Sequence, residues 1–157
     1  MAKRRIRRPK EQEEIYKKLT GTDLPIGAFD SYKDLFMLAG VIGFKRNKKK
    51  TFKDTAEGIA WSVFNMDTDY TVITAIAILD SKDLTLLRDN DETHDIKLTI
   101  FEEFAADGVS YIYNLLQSPR NANDVLYEYI YDSRNEMDER EQNLQKIMEG
   151  LGGGLSW

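Results

Sequence analysis

Apolar residues recur at every third or fourth position through much of this chain, which is the spacing of one face of a helix. The pattern is clearest between Ser31 and Ile42, where Ser31 stands at an N-cap position with Asp34 three residues on. Gly43 follows at a C-terminal capping position, so we predict that this helix ends there. The stretch 70–79 is apolar on every side, and its length favours a buried helix over a strand.

The same spacing, together with residues that start or end helices, predicts further helical segments. Pro9 can open a short amphipathic helix, and Asp107-Gly108 is predicted to separate two helices. The last helix spans about 27 residues and therefore about 40 Å. The segments are residues 10–20, a turn at 83–87, 95–106, 109–116, and a final helix from Asn121 or Asn123 to about Glu149.

One stretch follows the period of a strand. Ile59, Trp61 and Val63 alternate with Ala60, Ser62 and Phe64, and this segment is expected to pair with the chain near Phe44. The predicted fold is therefore mainly α (α+β), a compact helical domain with a small β-hairpin around residues 44–64 and a long C-terminal helix. Residues 1–8 are expected to be a disordered basic arm, 9–149 a single globular domain, and 150–157 a flexible Gly-rich tail.

The composition limits the chemistry that this chain can carry. It has 157 residues, no cysteine and one histidine, His94, which excludes disulfides, thiolate catalysis and histidine-rich metal sites. No apolar run reaches the roughly 20 residues that span a bilayer, and no signal-peptide pattern follows the basic N-terminus. We expect a cytoplasmic protein without a membrane partner and without a cofactor.

Charge is divided unevenly along the chain. Residues 1–53 carry 15 Lys/Arg and 6 Asp/Glu, a net of +9, whereas residues 54–157 carry 7 and 21, a net of −14. Six of the eleven residues from Gly43 to Lys53 are basic, between two apolar segments, which predicts a displayed loop. The arm and loop are interpreted as a non-specific contact to DNA backbone, with a solubilising tail as the alternative for the arm. The candidate nucleic-acid-binding residues are Arg4, Arg5, Arg7, Arg8, Lys45, Arg46, Lys48, Lys49, Lys50 and Lys53.

The acidic residues do not form a recognisable catalytic or metal site. As a calcium loop starting at Asp89, the sequence has His94 where glycine is required and Ile100 where glutamate is required. Glu102 and Glu103 point about 100° apart on a helix and are expected to form a solvated face. We predict no catalytic residues and no metal ligands. A metal-dependent nuclease using Asp89 and Asp91 is the least favoured interpretation.

The C-terminal helix offers a second kind of site. Apolar residues follow a heptad-like line that Ser133 and Arg140 interrupt, which suggests a short contact with a partner helix. An ordinary packed terminal helix is the alternative, and a frayed end is the alternative for the tail. The candidate partner-binding residues are Leu144, Ile147, Leu151, Leu155 and Trp157.

Several segments occur in the order of one known family. They are Tyr32–Asp34, Gly43–Arg46, Ile59–Phe64, Leu98–Ala105 and the following Gly108. Over about residues 29–117 the chain resembles DNA phosphorothioation-associated protein 4, a small bacterial family found alongside Dnd-type DNA sulfur-modification systems that act in phage defence. The resemblance implies an accessory role, with DNA or other proteins of that system as partners. It supplies no catalytic residues.

Overall fold

A computed structural model describes residues 4–21 and 28–153, with the backbone alone for 135–143 and 151–153. Within that part the chain is mainly helical, as predicted, and it divides into two compact units, 1–119 and 120–157. None of the described helices is both long enough and apolar enough to cross a membrane. The α-helices are α1 (Glu13–Thr20), α2 (Tyr32–Arg46), α3 (Asp69–Ser81), α4 (Asp91–Leu115) and α5 (Ala122–Gly153). Short 3₁₀ turns occupy Lys10–Gln12, Trp61–Val63 and Leu84–Leu87.

The first unit is organised around the pair α2 and α4, whose backbones approach closely at glycines. A Cβ on Gly43 would lie 2.0 Å from the carbonyl oxygen of Phe104, and one on Gly108 would lie 1.9 Å from that of Ala39. Gly40 packs in the same way against the ring of Phe101. The predictions that Gly43 ends a helix and that Gly108 interrupts one are therefore wrong. Both glycines are inside continuous helices because only a residue without a side chain fits this crossing.

The ends of the helices follow local capping chemistry. Ser31 Oγ accepts a hydrogen bond from the backbone N–H of Asp34 at 3.2 Å, which confirms the predicted N-cap of α2. That helix continues to Arg46 and stops at Asn47, whose φ of 54° is left-handed. Asn121 Oδ1 accepts from the Asn123 N–H at 2.9 Å where α5 begins. The helix predicted over 70–79 is also confirmed, as α3.

The predicted β-hairpin around residues 44–64 is wrong, because no strand forms in the described ranges. The N–H and C=O of Ile59 bond to the C=O and N–H of Ile6, at 3.0 and 2.9 Å, so they are not available to the chain near Phe44. Phe44 itself belongs to the last turn of α2, and Trp61 begins a 3₁₀ turn. The alternating pattern at 59–63 thus reflects a single antiparallel bridge followed by a turn.

The N-terminal segment differs from the disordered arm that its charges suggest. From residue 4 onward it lies against the body of the first unit, with Ile6 fully buried. The Ala56 N–H donates to the Arg8 carbonyl at 3.0 Å and the Lys10 N–H to the Asp54 carbonyl at 2.9 Å, which continues the antiparallel contact. Ile6 anchors the segment because burying an isoleucine side chain is worth about 2 kcal/mol.

Candidate functional site

The structure brings part of the predicted basic surface together. Arg7 and Lys53 line a cleft of about 210 Å³ with Glu102. Lys50 and Lys53 line a neighbouring hollow of about 510 Å³ with Lys10. The arm and loop therefore meet, but carboxylates share both openings. We refer to the surface formed by residues 4–10 and 47–58 as the basic face.

Arg4 is bound to acidic side chains of its own chain. Its guanidinium donates to the two carboxylate oxygens of Glu102 at 2.8 and 2.9 Å, and to Asp95 at 2.5 Å. Burial works to lower the pKa of Arg4, but the hydrogen bonds and the charges of Glu102 and Asp95 outweigh it and raise that pKa. Glu102 is only 2% exposed and also accepts from the Arg7 backbone N–H, so the expectation that it lies on a solvated face is wrong.

Arg8 lies in the core and cannot present its charge to a ligand. Its guanidinium carbon is 4.8 Å from the ring centroid of Tyr16 and 4.6 Å from that of Tyr32, within cation–π distance of both rings. The carboxylate of Glu13 is 3.9 Å away. Burial raises the pKa of the Tyr16 hydroxyl, the charge of Arg8 lowers it in part, and Glu102 adds to the rise. Arg8 is thus a structural residue in this fold.

Several cations of the loop are paired as well. The Lys49 ammonium is 2.7 Å from a carboxylate oxygen of Asp80, and that of Lys50 is 2.5 Å from one of Glu11. Arg46 lies 3.5 Å from Asp107 and 3.8 Å from the ring centroid of Tyr111. Each pair lowers the positive potential that the same residues would offer to a phosphate.

The remaining predicted cations are more open to solvent. Arg5 donates to the carbonyl of Gly58 at 2.6 Å and is 3.9 Å from Glu57. Lys45 is exposed in the last turn of α2. Lys48 and Lys53 are exposed, and neither has an ion-pair partner in the part of the chain that the structure describes. The basic face is accordingly a mixed surface with a few exposed lysines.

The single histidine is buried in the fold, and the acidic stretch that follows Arg88 contains the start of α4. His94 is buried, with its ring centroid 4.7 Å from that of Trp61 and 5.6 Å from that of Tyr70. Asn90 caps α4 by accepting from the Thr93 N–H, which places Asp91 in the first turn of that helix. Across residues 4–21 and 28–153, no group of three or more metal-binding side chains is positioned to hold an ion.

Helix α5 carries several exposed apolar side chains. Leu144 is 62% exposed, Ile147 is similarly open, and Tyr127 stacks on Tyr131 with a centroid distance of 6.2 Å. Three of the predicted partner-binding side chains fall outside what is described: that of Leu151, and Leu155 and Trp157 entirely. The two predicted partner-binding residues whose side chains are described, Leu144 and Ile147, are therefore on the surface.

Comparison with known proteins decides the family. A family model described as DNA sulphur modification system-associated protein 4 matches residues 5–147. The chain belongs to this family. The predicted resemblance is confirmed, and the match extends beyond the expected residues 29–117 at both ends. No curated protein and no solved structure matches the chain significantly.

In this member of the family, sequence reasoning missed one surface. The outer side of α3 is exposed although the segment is apolar all round, with Val72 and Leu79 open to solvent. The sequence already indicates this surface, because a helix that is apolar on every side is stable in water only when other residues or another protein contact all of its sides. We interpreted the pattern as burial within one chain, whereas only Ile73, Ile76 and Ala77 of this helix lie in the core.

Proposed function

We propose that this chain is a non-enzymatic accessory protein of a DNA sulphur modification system that docks on another protein of the system through α5. The association with such a system follows from the family. The observation that carries the docking proposal is the set of exposed apolar side chains on α5, a helix that belongs to the second unit. They are Tyr127, Ile130, Tyr131, Leu144, Ile147 and Met148.

Their spacing suits contact with an elongated partner. Ile130 and Leu144 are two heptads apart, and a straight helix drifts only about 20° per heptad from that repeat. From Tyr127 to Met148 the helix rises about 32 Å at 1.5 Å per residue. The exposed apolar side chains that are described form two groups on this helix, at 127–131 and at 144–148, so a partner that contacts both groups must itself be elongated.

The charge of α5 indicates what kind of partner fits. Residues 122–153 carry eight Asp/Glu and three Lys/Arg, so 3 − 8 gives a net of −5. Two such helices repel each other, whereas a basic surface with apolar residues is attracted and buries the same area. We therefore expect the partner to be a different protein with a basic docking surface.

Co-purification tests this proposal. The tagged full chain is coexpressed with the other proteins of a DNA sulphur modification system, as wild type, Leu144→Glu or Gln145→Glu. Both substitutions add one carboxylate at exposed, adjacent positions of α5, but only the first removes an apolar contact. We expect Leu144→Glu alone to lose the complex. A complex that survives both changes, or that never forms with wild type, would contradict the proposal.

Contact with DNA is a second candidate, supported by the convergence of the arm and loop on the basic face. Because most of these cations are paired internally, we expect about two phosphate contacts rather than six. Affinity would then fall about tenfold between 50 and 200 mM salt, against about a thousandfold for six contacts. Mobility-shift titrations of duplex DNA at several salt concentrations measure this slope. Absence of binding at low salt would eliminate this candidate.

Three matched variants identify the residues responsible. Lys48→Glu and Lys53→Glu reverse exposed charges without an ion-pair partner in the described ranges. Lys50→Glu reverses a lysine that is held by Glu11. We expect the first two to weaken DNA binding more than the third. Equal losses would show that the internal pairing has no effect on recognition.

A further inference from the structure

The outer face of α3 forms an exposed apolar surface with the turn that follows it. Val72 and Ala75 lie on this face, and Leu79, one turn further on, leaves 63% of its surface in solvent. Leu87, in the 3₁₀ turn Leu84–Leu87, is 67% exposed. We call Val72, Ala75, Ile78, Leu79 and Leu87 the α3 patch.

A hollow of about 390 Å³ lies beside Val72 and Leu79 and is lined by the other three members of the α3 patch. Ala75 and Ile78 of α3 line it together with Leu87 of the turn and Lys97 of α4. This volume lies within the range of about 300–1,000 Å³ that is usual for binding pockets. The hollow can therefore receive an apolar side chain from outside.

The wall of the hollow is fixed by a buried polar cluster. Lys97 is 1% exposed, and its ammonium lies 4.5 Å from the ring centroid of Tyr70 and 3.4 Å from the Arg88 carbonyl oxygen. Burial and the neighbouring charge of Asp89 raise the pKa of the Tyr70 hydroxyl. Since these groups are already held together, a ligand would meet a preformed surface and little ordering would be needed to bind it.

The segment that forms the α3 patch and the adjoining start of α4 is rich in carboxylates. From residue 67 to residue 97 the sequence has eight Asp/Glu and three Lys/Arg, a net of 3 − 8 = −5. Asp69, Asp80 and Asp95 are paired with Lys33, Lys49 and Arg4, at 3.0, 2.7 and 2.5 Å. Setting aside these three, together with the Asp89 and Lys97 that line the hollow, leaves four carboxylates and two cations, a net of 2 − 4 = −2. The segment that carries the apolar face thus keeps a net negative charge.

We propose that the α3 patch is a docking site for a cationic amphipathic segment of a partner protein. An apolar side chain of that segment enters the hollow, and its lysines or arginines meet carboxylates such as Asp83 and Asp91. A second copy of this chain fits less well, because its exposed apolar helix is itself acidic. The site lies in the first unit and needs nothing from α5, so the chain would present two separate docking surfaces.

Nuclear magnetic resonance of the methyl groups tests the proposal on the full chain. The probe is a synthetic amphipathic helix of about five turns, with leucines on one face and lysines on the other. A second peptide keeps the leucines and replaces the lysines by glutamates. We expect saturable shifts of the Leu79 and Leu87 methyls with the lysine peptide alone.

Variants show where the peptide binds. Leu79→Ser combined with Leu87→Ser changes exposed side chains and is expected to weaken binding about tenfold or more through lost apolar burial. Val41→Ser, at an exposed apolar position of α2, is the matched control. Leu144→Ser separates this site from the α5 surface, because it should leave the Leu79 and Leu87 shifts unchanged.

Charge is tested independently of apolar contact. Asp83→Asn keeps the side-chain oxygen that accepts from the Thr85 N–H, and combined with Asp91→Asn it should weaken the lysine peptide several-fold. Equal binding of the glutamate peptide would overturn the cationic assignment. Methyl shifts that follow protein concentration in the absence of peptide would instead identify a second copy as the occupant. No shift at Leu79 and Leu87 would remove the site altogether.

Discussion

The guanidinium of Arg4 binds both carboxylate oxygens of Glu102, at 2.8 and 2.9 Å, across 98 residues of sequence. This contact fastens an N-terminal segment rich in positive charge to the middle of α4. It also explains why the segment is ordered, since Glu102 lies in the core and its charge requires a partner there. Arg4, which the sequence analysis predicts to contact DNA, therefore has a structural role in this fold.

Glu102→Gln should destabilise the first unit by about 2 kcal/mol, because it removes the charge that Arg4 and the Arg7 N–H bind. Urea unfolding of the full chain, followed by circular dichroism, measures the change. Glu103→Gln is the control, since it alters the adjacent residue, for which no side-chain hydrogen bond is described. Similar losses for both variants would show that the network is not a main source of stability.

Gly108→Ala should destabilise the first unit by about 3 kcal/mol, although alanine is the better helix former. The new methyl would meet the Ala39 carbonyl oxygen at 1.9 Å and force α2 and α4 apart. Gly150→Ala is the control, since nothing lies within 4 Å of its Cβ position. That change should leave stability equal or raise helicity, as circular dichroism would show. A stable Gly108→Ala protein would contradict the close crossing.

Local patterns were sufficient to predict the main helices but not how they pack. Ser31 and Asp34 identify the start of α2 because capping involves residues three apart. Gly43 and Gly108 were misread because a glycine that ends a helix and one that lets two helices touch look alike in a single sequence. The difference is set by Phe104 and Ala39 on the facing helix, far away along the chain.

The candidate site was predictable only in its location. The cluster of lysines in the loop and its exposure at Lys48 and Lys53 follow from sequence. The pairing of Lys50 with Glu11 depends on how residues 10–13 pack beside the loop. A count of charges therefore overestimates the positive potential of this face, because it cannot identify contacts between distant segments.

Stability at alkaline pH should depend on Tyr16. Its hydroxyl has a pKa raised by burial above the ordinary value near 10. The folded chain keeps this proton while the unfolded chain loses it, so the contribution is complete below about pH 10 and is lost as pH rises through the folded pKa, with a slope of up to about 1.4 kcal/mol per pH unit.

Chemical denaturation of wild type and Tyr16→Phe between pH 8 and 11 measures this slope. The phenylalanine variant has no proton to lose, so its stability should fall less steeply above pH 10. Tyr127→Phe, at an exposed position of α5, is the control and should follow wild type. Parallel curves for all three proteins would show that the Tyr16 hydroxyl is not protected by the fold.

Arg8 distinguishes the structural and DNA-binding interpretations of the N-terminal segment. Its guanidinium carbon lies 4.8 and 4.6 Å from the ring centroids of Tyr16 and Tyr32, and its Nε and Nη1 have no hydrogen-bond partner among the described residues. Arg8→Lys should cost about 1–2 kcal/mol, because an ammonium is more strongly hydrated than a guanidinium and is therefore harder to bury beside aromatic rings. Arg8→Met keeps the length and removes a buried charge, so its stability should stay within about 1 kcal/mol of wild type. Neither change should alter affinity for duplex DNA at low salt, and a loss of binding in the stable Arg8→Met protein would place Arg8 in a DNA contact after all.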